Sequence, residues 1–307
     1  MRTLIVGAGA MGGLFGSMIA QAGAEVYLYD IDQKKVDAIN EKGLRIIRAG
    51  EEDQIAKIQA FSNIEDAPHC DFILLFAKTY HTERAAREIA LVSDDSTIAL
   101  TLQNGLGNAE ELLKHLKPKQ VFSGVTYQSA SEMGPGVVFH AARGLTIVAP
   151  MDKRGLSAAM DQARLFNDCQ ISAGATTDLK PIQWKKLIIN SAVNPLSAIY
   201  GVENGKLIKN AEAVTEMASL VVEGVAVAQK IDIPLNYGEM WASVLETCRR
   251  SSANRSSMLC DVEAGRPTEI NAINGSIIAL GDSHGVDTPV NIRVLRNIVS
   301  IHRGRKK

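Results

Sequence analysis

The 307-residue chain has no surplus of either charge: 33 Lys+Arg stand against 34 Asp+Glu, a formal net charge of −1. Proteins that bind nucleic acid through their whole surface carry a basic excess, so that class is excluded. Disorder requires low hydrophobicity with high net charge, and a 46% hydrophobic content rules it out. No clean run of about 20 apolar residues occurs, so no membrane span is expected. Cysteines are few. Cys70, Cys169, Cys248 and Cys260 include no C-x-x-C pair and no accompanying His/Cys cluster. That argues against a zinc site, a redox motif or any other metal centre, and it fits a reducing, cytoplasmic setting. Internal repeats and low-complexity stretches are also missing.

What is present divides into two halves. At roughly 150 residues per domain, two domains are expected. Over the first half, short aliphatic and β-branched runs alternate with helical patterns: Thr3 to Val6, then Ala10 to Ala22; Glu25 to Tyr29, then Lys34 to Glu41. Phe72 to Phe76, Ser96 to Leu102 and Val121 to Gly124 continue the strands, with helices over Thr82 to Ala90 and Ala109 to Leu116. Val137 to His140 and Leu145 to Ala149 read as additions to a sheet, with a turn at Gly134-Pro135-Gly136. Such β-α-β alternation predicts a Rossmann-type, doubly wound parallel sheet covered by helices. After about Thr177 long helical periods replace the strands, over Ile182 to Tyr200, Ala211 to Lys230, Tyr237 to Arg249, Ile270 to His284 and Val290 to Arg303. The expected domains are therefore an α/β dinucleotide-binding domain, 1–177, and an all-helical domain, 178–307. The first half carries 17 basic and 21 acidic residues and the second 16 and 13, so a domain at −4 adjoins one at +3. Arg303, Arg305, Lys306 and Lys307 read as a solvated basic tail.

Gly7-Ala8-Gly9-Ala10-Met11-Gly12 matches G-x-G-x-x-G between a strand and a helix. The first glycine permits the tight turn, the second lets a pyrophosphate approach the backbone, and the third lets the helix lie on the strand. The helix end then offers N–H groups and a positive dipole to the phosphates. Arg2 and the apolar run to Ala20 have the outline of a secretory leader, but the glycines interrupt it, and the nucleotide turn accounts for them better. Asp30 ends the second strand, 18 residues beyond Gly12. A carboxylate there accepts hydrogen bonds from ribose hydroxyls and repels a 2′-phosphate, which favours NAD(H). Lys34 and Lys35 follow closely and could accommodate a phosphate, so NADP(H) stays open. Asp30 could instead cap the next helix, as could Asp32. Lys78 ends the third strand run, where ligands bind in this architecture, and can meet phosphate or carboxylate. Gln103-Asn104-Gly105 follows the next strand in the same manner; a plain turn is the alternative.

In the helical half, Lys186, Asn190 and Asn194 recur at intervals of four within the otherwise apolar run Trp184 to Leu196. They share one helix face. Asparagine is a modest helix former and gains little from burial without partners, so this stripe predicts a polar cleft rather than a solvated face. Pro195 removes a backbone donor and should bend the helix there. A lysine in a desolvated cleft has a lowered pKa and can protonate an alkoxide near neutral pH, with the asparagines orienting substrate oxygens. Ser257 could donate to a substrate carboxylate. Glu269 falls in the first turn of a helix, where an acid also suits the dipole.

Taken together, the glycine turn, Lys78, Asn104-Gly105, W-x-K-L-x-x-N-x-x-x-N-P-L at 184–196, S-S-M-L at 256–259 and T-E-I-x-x-I-N-G at 268–275 resemble the ketopantoate reductase (2-dehydropantoate 2-reductase) family over essentially the whole chain. The resemblance implies reduction of 2-dehydropantoate to (R)-pantoate with a nicotinamide cofactor, on the route to pantothenate and coenzyme A. It implies that Lys186 is the proton donor, that Asn190, Asn194, Asn204 and Ser257 bind substrate, and that Asn104 stands where cofactor and substrate meet. It places Glu269 near both ligands, gives Lys78 and Ala130 cofactor contacts, and suggests a homodimer. One departure matters: many members carry a basic residue after the second strand and use NADPH, whereas this chain has Asp30-Ile31-Asp32. That suggests an NADH-using branch, some of whose relatives resemble (R)-2-hydroxyacid dehydrogenases for branched 2-keto acids such as 2-ketoisovalerate. A non-catalytic dinucleotide-binding regulator is a third reading, but it has no need of a lysine beside two asparagines.

Overall fold

The computed structural model describes residues 1–304 and divides into two compact units, 1–103 with 107–179, and 104–106 with 180–307. Of the basic tail expected from the sequence, Arg305, Lys306 and Lys307 lie outside the described residues, and Arg303 belongs to the final helix.

In the first unit the chain runs β1 (Arg2–Val6), α1 (Ala10–Gln21), β2 (Glu25–Tyr29), α2 (Gln33–Lys42), β3 (Leu44–Ile47), β4 (Gln54–Ala56), β5 (Gln59–Phe61), β6 (Phe72–Leu75), α3 (Thr82–Leu91), β7 (Ile98–Thr101) and α4 (Asn108–Leu113). It continues through β8 (Val121–Thr126), β9 (Ser129–Gly134), β10 (Val137–Ala142), β11 (Thr146–Pro150), α5 (Leu156–Asp168) and β12 (Ala173–Ala175). The main sheet has the order β12-β11-β8-β7-β6-β1-β2-β5, and all neighbours are parallel except β8 and β11. The strand order reverses at β1 and β6. In an open α/β sheet the crevice beyond the carboxyl ends of those two strands is where ligands bind. Leu4 to Val6 and Phe72 to Leu75 are buried, as fits strands covered on both faces. Phe15, Phe72 and Phe166 meet edge-on or tilted under this sheet, each burial contributing roughly 2–3 kcal/mol.

A second sheet, β4-β3-β10-β9, stands beside α1. The turn at Gly134-Pro135-Gly136 joins β9 to β10 within it, and three of its four strands carry no clear sequence signal. Val137 to His140 thus belongs to this smaller sheet, while the neighbouring run, β11, extends the main one.

The second unit consists of α6 (Lys180–Tyr200), α7 (Asn204–Leu207), α8 (Ala211–Lys230), α9 (Tyr237–Arg250), α10 (Ser257–Glu263), α11 (Ile270–His284) and α12 (Pro289–Gly304). α6 is its central element and touches all six others. That position explains its composition: a helix surrounded by helices is apolar nearly all round. Among the described residues no helix is long and apolar enough to cross a membrane.

Candidate active site

The glycine turn is built by close approach. Gly7 follows β1 with φ +99°, and a Cβ there would lie 2.6 Å from the Ala77 amide nitrogen, where the chain leaves β6. A Cβ on Gly12 would lie 1.9 Å from the Gly7 carbonyl oxygen. Both positions therefore exclude a side chain for reasons internal to the fold. Gly9 is different: the nearest atom to its Cβ position is a carboxylate oxygen of Glu132, 3.8 Å away. Its open face is the feature that a ligand backbone approach requires. The Gly13 N–H bonds the Gly9 carbonyl at 2.8 Å, so the amides of Ala10, Met11 and Gly12 precede the first bond of α1 and are presented at its positive end.

Asp30 stands beside this turn. Its Oδ2 accepts the Ala8 N–H at 2.9 Å and its Oδ1 accepts the Asp32 N–H at 3.0 Å. The cap of α2 is Asp32, which accepts the Lys34 N–H at 3.0 Å, so Asp30 is not a helix cap. Lys34 is exposed, whereas Lys35 is drawn in, with Nζ 3.3 Å from Asp30 Oδ2 and 3.0 Å from Glu132 Oε1. Lys78 follows β6 and opens a short 3-10 turn over Thr79–His81, its carbonyl accepting the His81 N–H. Gln103 braces this strand end by donating to the Ala77 carbonyl at 2.6 Å and the Thr82 hydroxyl at 2.9 Å. Ala130 lies half-buried on β9, two residues before Glu132. The turn, Asp30, Ala130 and the end of β6 thus form one neighbourhood that fits an extended diphosphate ligand with a ribose at Asp30. Glu132 was not legible in the sequence as part of it, because nothing local marks a glutamate in a polar six-residue edge strand.

In the helical unit, every residue from Leu187 to Ala198 is buried except Asn190 and Asn194. With half-buried Lys186 they form a partly open track along α6, whose first turns and last two residues are also partly open. Burial drives the Lys186 ammonium down to about 8, against an opposing pull from the Glu269 carboxylate. Glu269 is itself buried and stands at the N-cap of α11, one position before the first turn expected for it.

Pro195 lies inside α6, and the helix continues through it to Tyr200. The missing N–H leaves the Ser191 carbonyl without its i+4 donor. The Asn274 side-chain amide fills that place at 3.1 Å, and its other hydrogen goes to Asn291 Oδ1 at 2.9 Å. Asn291 in turn donates to buried Glu223, which also accepts the first amides of α12, Val290 N–H at 2.7 Å and Asn291 N–H at 2.9 Å. Asn274 lies within the T-E-I-x-x-I-N-G motif. The signal for it was available, since a proline in mid-helix frees a carbonyl that needs a donor.

Asn104 and its neighbours join the helical unit. The Leu106 N–H reaches the Ala272 carbonyl at 3.4 Å, and Gly105, at φ +81°, passes so close that a Cβ would lie 2.4 Å from the same oxygen. This sets the two residues after Asn104 against the first turn of α11. Asn204 is buried and donates its amide to Ser251 Oγ at 2.9 Å. The Ser251 hydroxyl has already given its proton to the Thr247 carbonyl, so the orientation of the amide is fixed. Asn204 Oδ1 is left buried without a protein donor. An acceptor in that position can take a hydrogen bond from a ligand or from a buried water. Ser257 is the exposed first residue of α10. Its neighbour Ser256 caps α10 by accepting the Leu259 N–H and donates to the Asn194 carbonyl at 3.2 Å, which ties this helix end to the polar track. Among the described residues there is no group of three His, Cys, Asp or Glu that could hold a metal ion.

Comparison with known proteins gives a consistent answer. The family model "Ketopantoate reductase PanE/ApbA" matches residues 3–153 and its C-terminal counterpart matches residues 178–301. A 2-dehydropantoate 2-reductase of Archaeoglobus fulgidus is 35% identical over 298 residues, 97% of this chain and 96% of the relative. The fold is similar to that of a D-mandelate dehydrogenase solved with NADH and anilino(oxo)acetate, with a TM-score of 0.96 and 28% identity over the full length of both chains. It is also similar to a PanE/ApbA family ketopantoate reductase from Ralstonia eutropha JMP134, with a TM-score of 0.91 and 29% identity, again over both full chains. By fold, motifs and full-length similarity, the chain belongs to the ketopantoate reductase family.

Proposed function

We propose that this protein reduces 2-dehydropantoate to (R)-pantoate, supplying pantoate for pantothenate and coenzyme A synthesis, with NADH as the preferred cofactor. The observation that carries the reading is Lys186: an ammonium brought down to about 8 on a partly open track along α6, with Asn190 and Asn194 above it among buried neighbours. A bound reduced nicotinamide supplies the hydride that the ketone carbon takes up. As the carbonyl oxygen gains negative charge, Lys186 Nζ gives it a proton and becomes a neutral amine, which solvent reprotonates. A general acid matched to the working pH contributes typically 10²–10⁴-fold. Asn190, Asn194 and Ser257 orient the keto acid, and Asn204 Oδ1 accepts a hydrogen bond from a substrate hydroxyl. Glu269 accepts another and holds Lys186 in its charged form. Gly7 to Gly12 and Lys78 hold the dinucleotide, with Ala130 and Asn104 beside it. Asp30 accepts from the ribose hydroxyls and disfavours a 2′-phosphate. The same reading carries a cytoplasmic homodimer, which sedimentation of the purified protein tests.

A second reading, a dehydrogenase for other branched 2-keto acids, is favoured by the 0.96 TM-score to D-mandelate dehydrogenase. A turnover matrix of 2-dehydropantoate and 2-ketoisovalerate against NADH and NADPH decides between them. Preferential 2-dehydropantoate reduction with NADH supports the first reading. Equal or better use of 2-ketoisovalerate supports the second, and oxidation of neither cofactor ends both.

A further inference from the structure

Lys35 is held by two carboxylates from distant parts of the chain. Asp30 lies at the end of β2 and Glu132 in β9, and the Lys35 side chain between them is only 13% exposed. Burial opposes its charge, yet the two carboxylates together leave its pKa raised, so it remains an ammonium. Glu132 places one oxygen on Lys35 and turns the other toward the open face of Gly9. Asp30 is further fixed by the Ala8 and Asp32 amides, so it cannot swing away to release the lysine.

We infer that Glu132 is a specificity-determining residue of the dinucleotide site, acting with Asp30 against a 2′-phosphate. This rests on the nicotinamide-dinucleotide reading of the glycine turn. The local charge count gives the reason. Asp30 and Lys35 alone would balance, and Lys35 could turn to a phosphate on the adjacent ribose. Glu132 makes the group net negative and engages Lys35, the more buried of the two cations a phosphate could meet, Lys34 being turned to solvent. A dianion added to such a half-buried group meets uncompensated repulsion, which is weakly screened there. A ribose bearing two hydroxyls meets acceptors instead. Cofactor choice is thus set from two places, the strand that ends at Asp30 and a strand of the second sheet roughly a hundred residues later.

Binding, read by fluorescence titration of NADH and NADPH without substrate, tests this apart from turnover. In Glu132→Gln, an isosteric change on a partly exposed strand, the ratio of Kd for NADPH to Kd for NADH should fall at least tenfold, about 1.4 kcal/mol. Adding Lys35→Met to that variant should abolish the fall, because the freed ammonium is what the phosphate meets. Lys35→Met alone should raise the ratio, and it carries the test should Glu132→Gln fail to fold. A ratio unchanged within twofold in Glu132→Gln, or in Lys35→Met where that variant stands in, overturns the inference while leaving the dinucleotide site intact. Wild-type protein that binds neither nucleotide overturns the dinucleotide reading itself, and the inference with it.

Discussion

The side-chain amide of Asn274 donates to the main-chain carbonyl of Ser191 across 3.1 Å, at the carbonyl of α6 from which Pro195 withholds the helical donor. Ser191 lies between Asn190 and Asn194 in sequence, so this bond steadies the turn of helix that presents both. Asn274→Ala leaves the Ser191 carbonyl and Asn291 Oδ1 buried without that partner. It should cost about 2–4 kcal/mol, seen as a lower urea midpoint. Pro195→Ala restores an N–H for Ser191 and should recover part of the loss in that background. Strictly additive effects in the double-mutant cycle would show that the two residues do not share this carbonyl.

Lys186 should set the alkaline limb of the pH profile. As a proton donor it works in its charged form, so reduction should decline as pH rises through about 8. Lys186→Met should lower kcat by about 10²–10⁴ and remove that limb. A retained limb assigns it to another group.

The same substitution should not weaken the fold. The Lys186 pKa is lowered in the native state by desolvation, so below about 8 the chain carries the whole of that desolvation cost. From there up to the ordinary lysine value the unfolded state binds more protons, and wild-type stability rises with pH. Lys186→Met should therefore melt at or above the wild-type temperature at pH 7, with the difference narrowing toward pH 10. A melting temperature several degrees lower would mean that the ammonium stabilises the fold.

Gly9 and Gly12 should respond differently to one added methyl. Gly12→Ala forces a Cβ into the Gly7 carbonyl and should unfold or grossly destabilise the first unit. Gly9, at φ −77° with its nearest neighbour 3.8 Å away, has room. Gly9→Ala should keep the wild-type circular dichroism and melting temperature but weaken NADH binding at least tenfold. Unchanged NADH affinity would remove the ligand from the glycine turn.

Asn204→Ala removes the orphaned Oδ1, so KM for 2-dehydropantoate should rise about tenfold, with a smaller change in kcat. If that oxygen accepts from the 4-hydroxyl that 2-ketoisovalerate lacks, the change for 2-ketoisovalerate should be less. Equal losses for both substrates would show that it does not read a hydroxyl.

Much of this was visible in the sequence because burial leaves a local signature there. β2 and α11 fall on the residues that their periodicity marks, and Asn190 and Asn194 of α6 stand out because their neighbours from Leu187 to Ala198 are all buried. The second sheet was not visible. β9 reads Ser-Ala-Ser-Glu-Met-Gly, β4 has three residues, and β3 finds its parallel partner β10 some ninety residues on. Pairing of that kind is settled by what closes over α1, not by local pattern. α5 leaves little local trace either: much of its buried face is small, with Ala159 and Ala163 beside Phe166, so its helical period is faint. Glu132 and Asn274 share this origin, since each acts on a residue that only the fold brings near.

The three-residue loan of Asn104, Gly105 and Leu106 to the helical unit has a consequence for the gene. A cut after residue 179 looks like a clean division of the protein, yet it would strip the C-terminal product of an asparagine and of the leucine wedged into its own core. The N-terminal product keeps every residue of its own unit, and the helical product alone is left incomplete. Recombination within this family should therefore exchange whole chains, or splice 104–106 along with the helices they belong to.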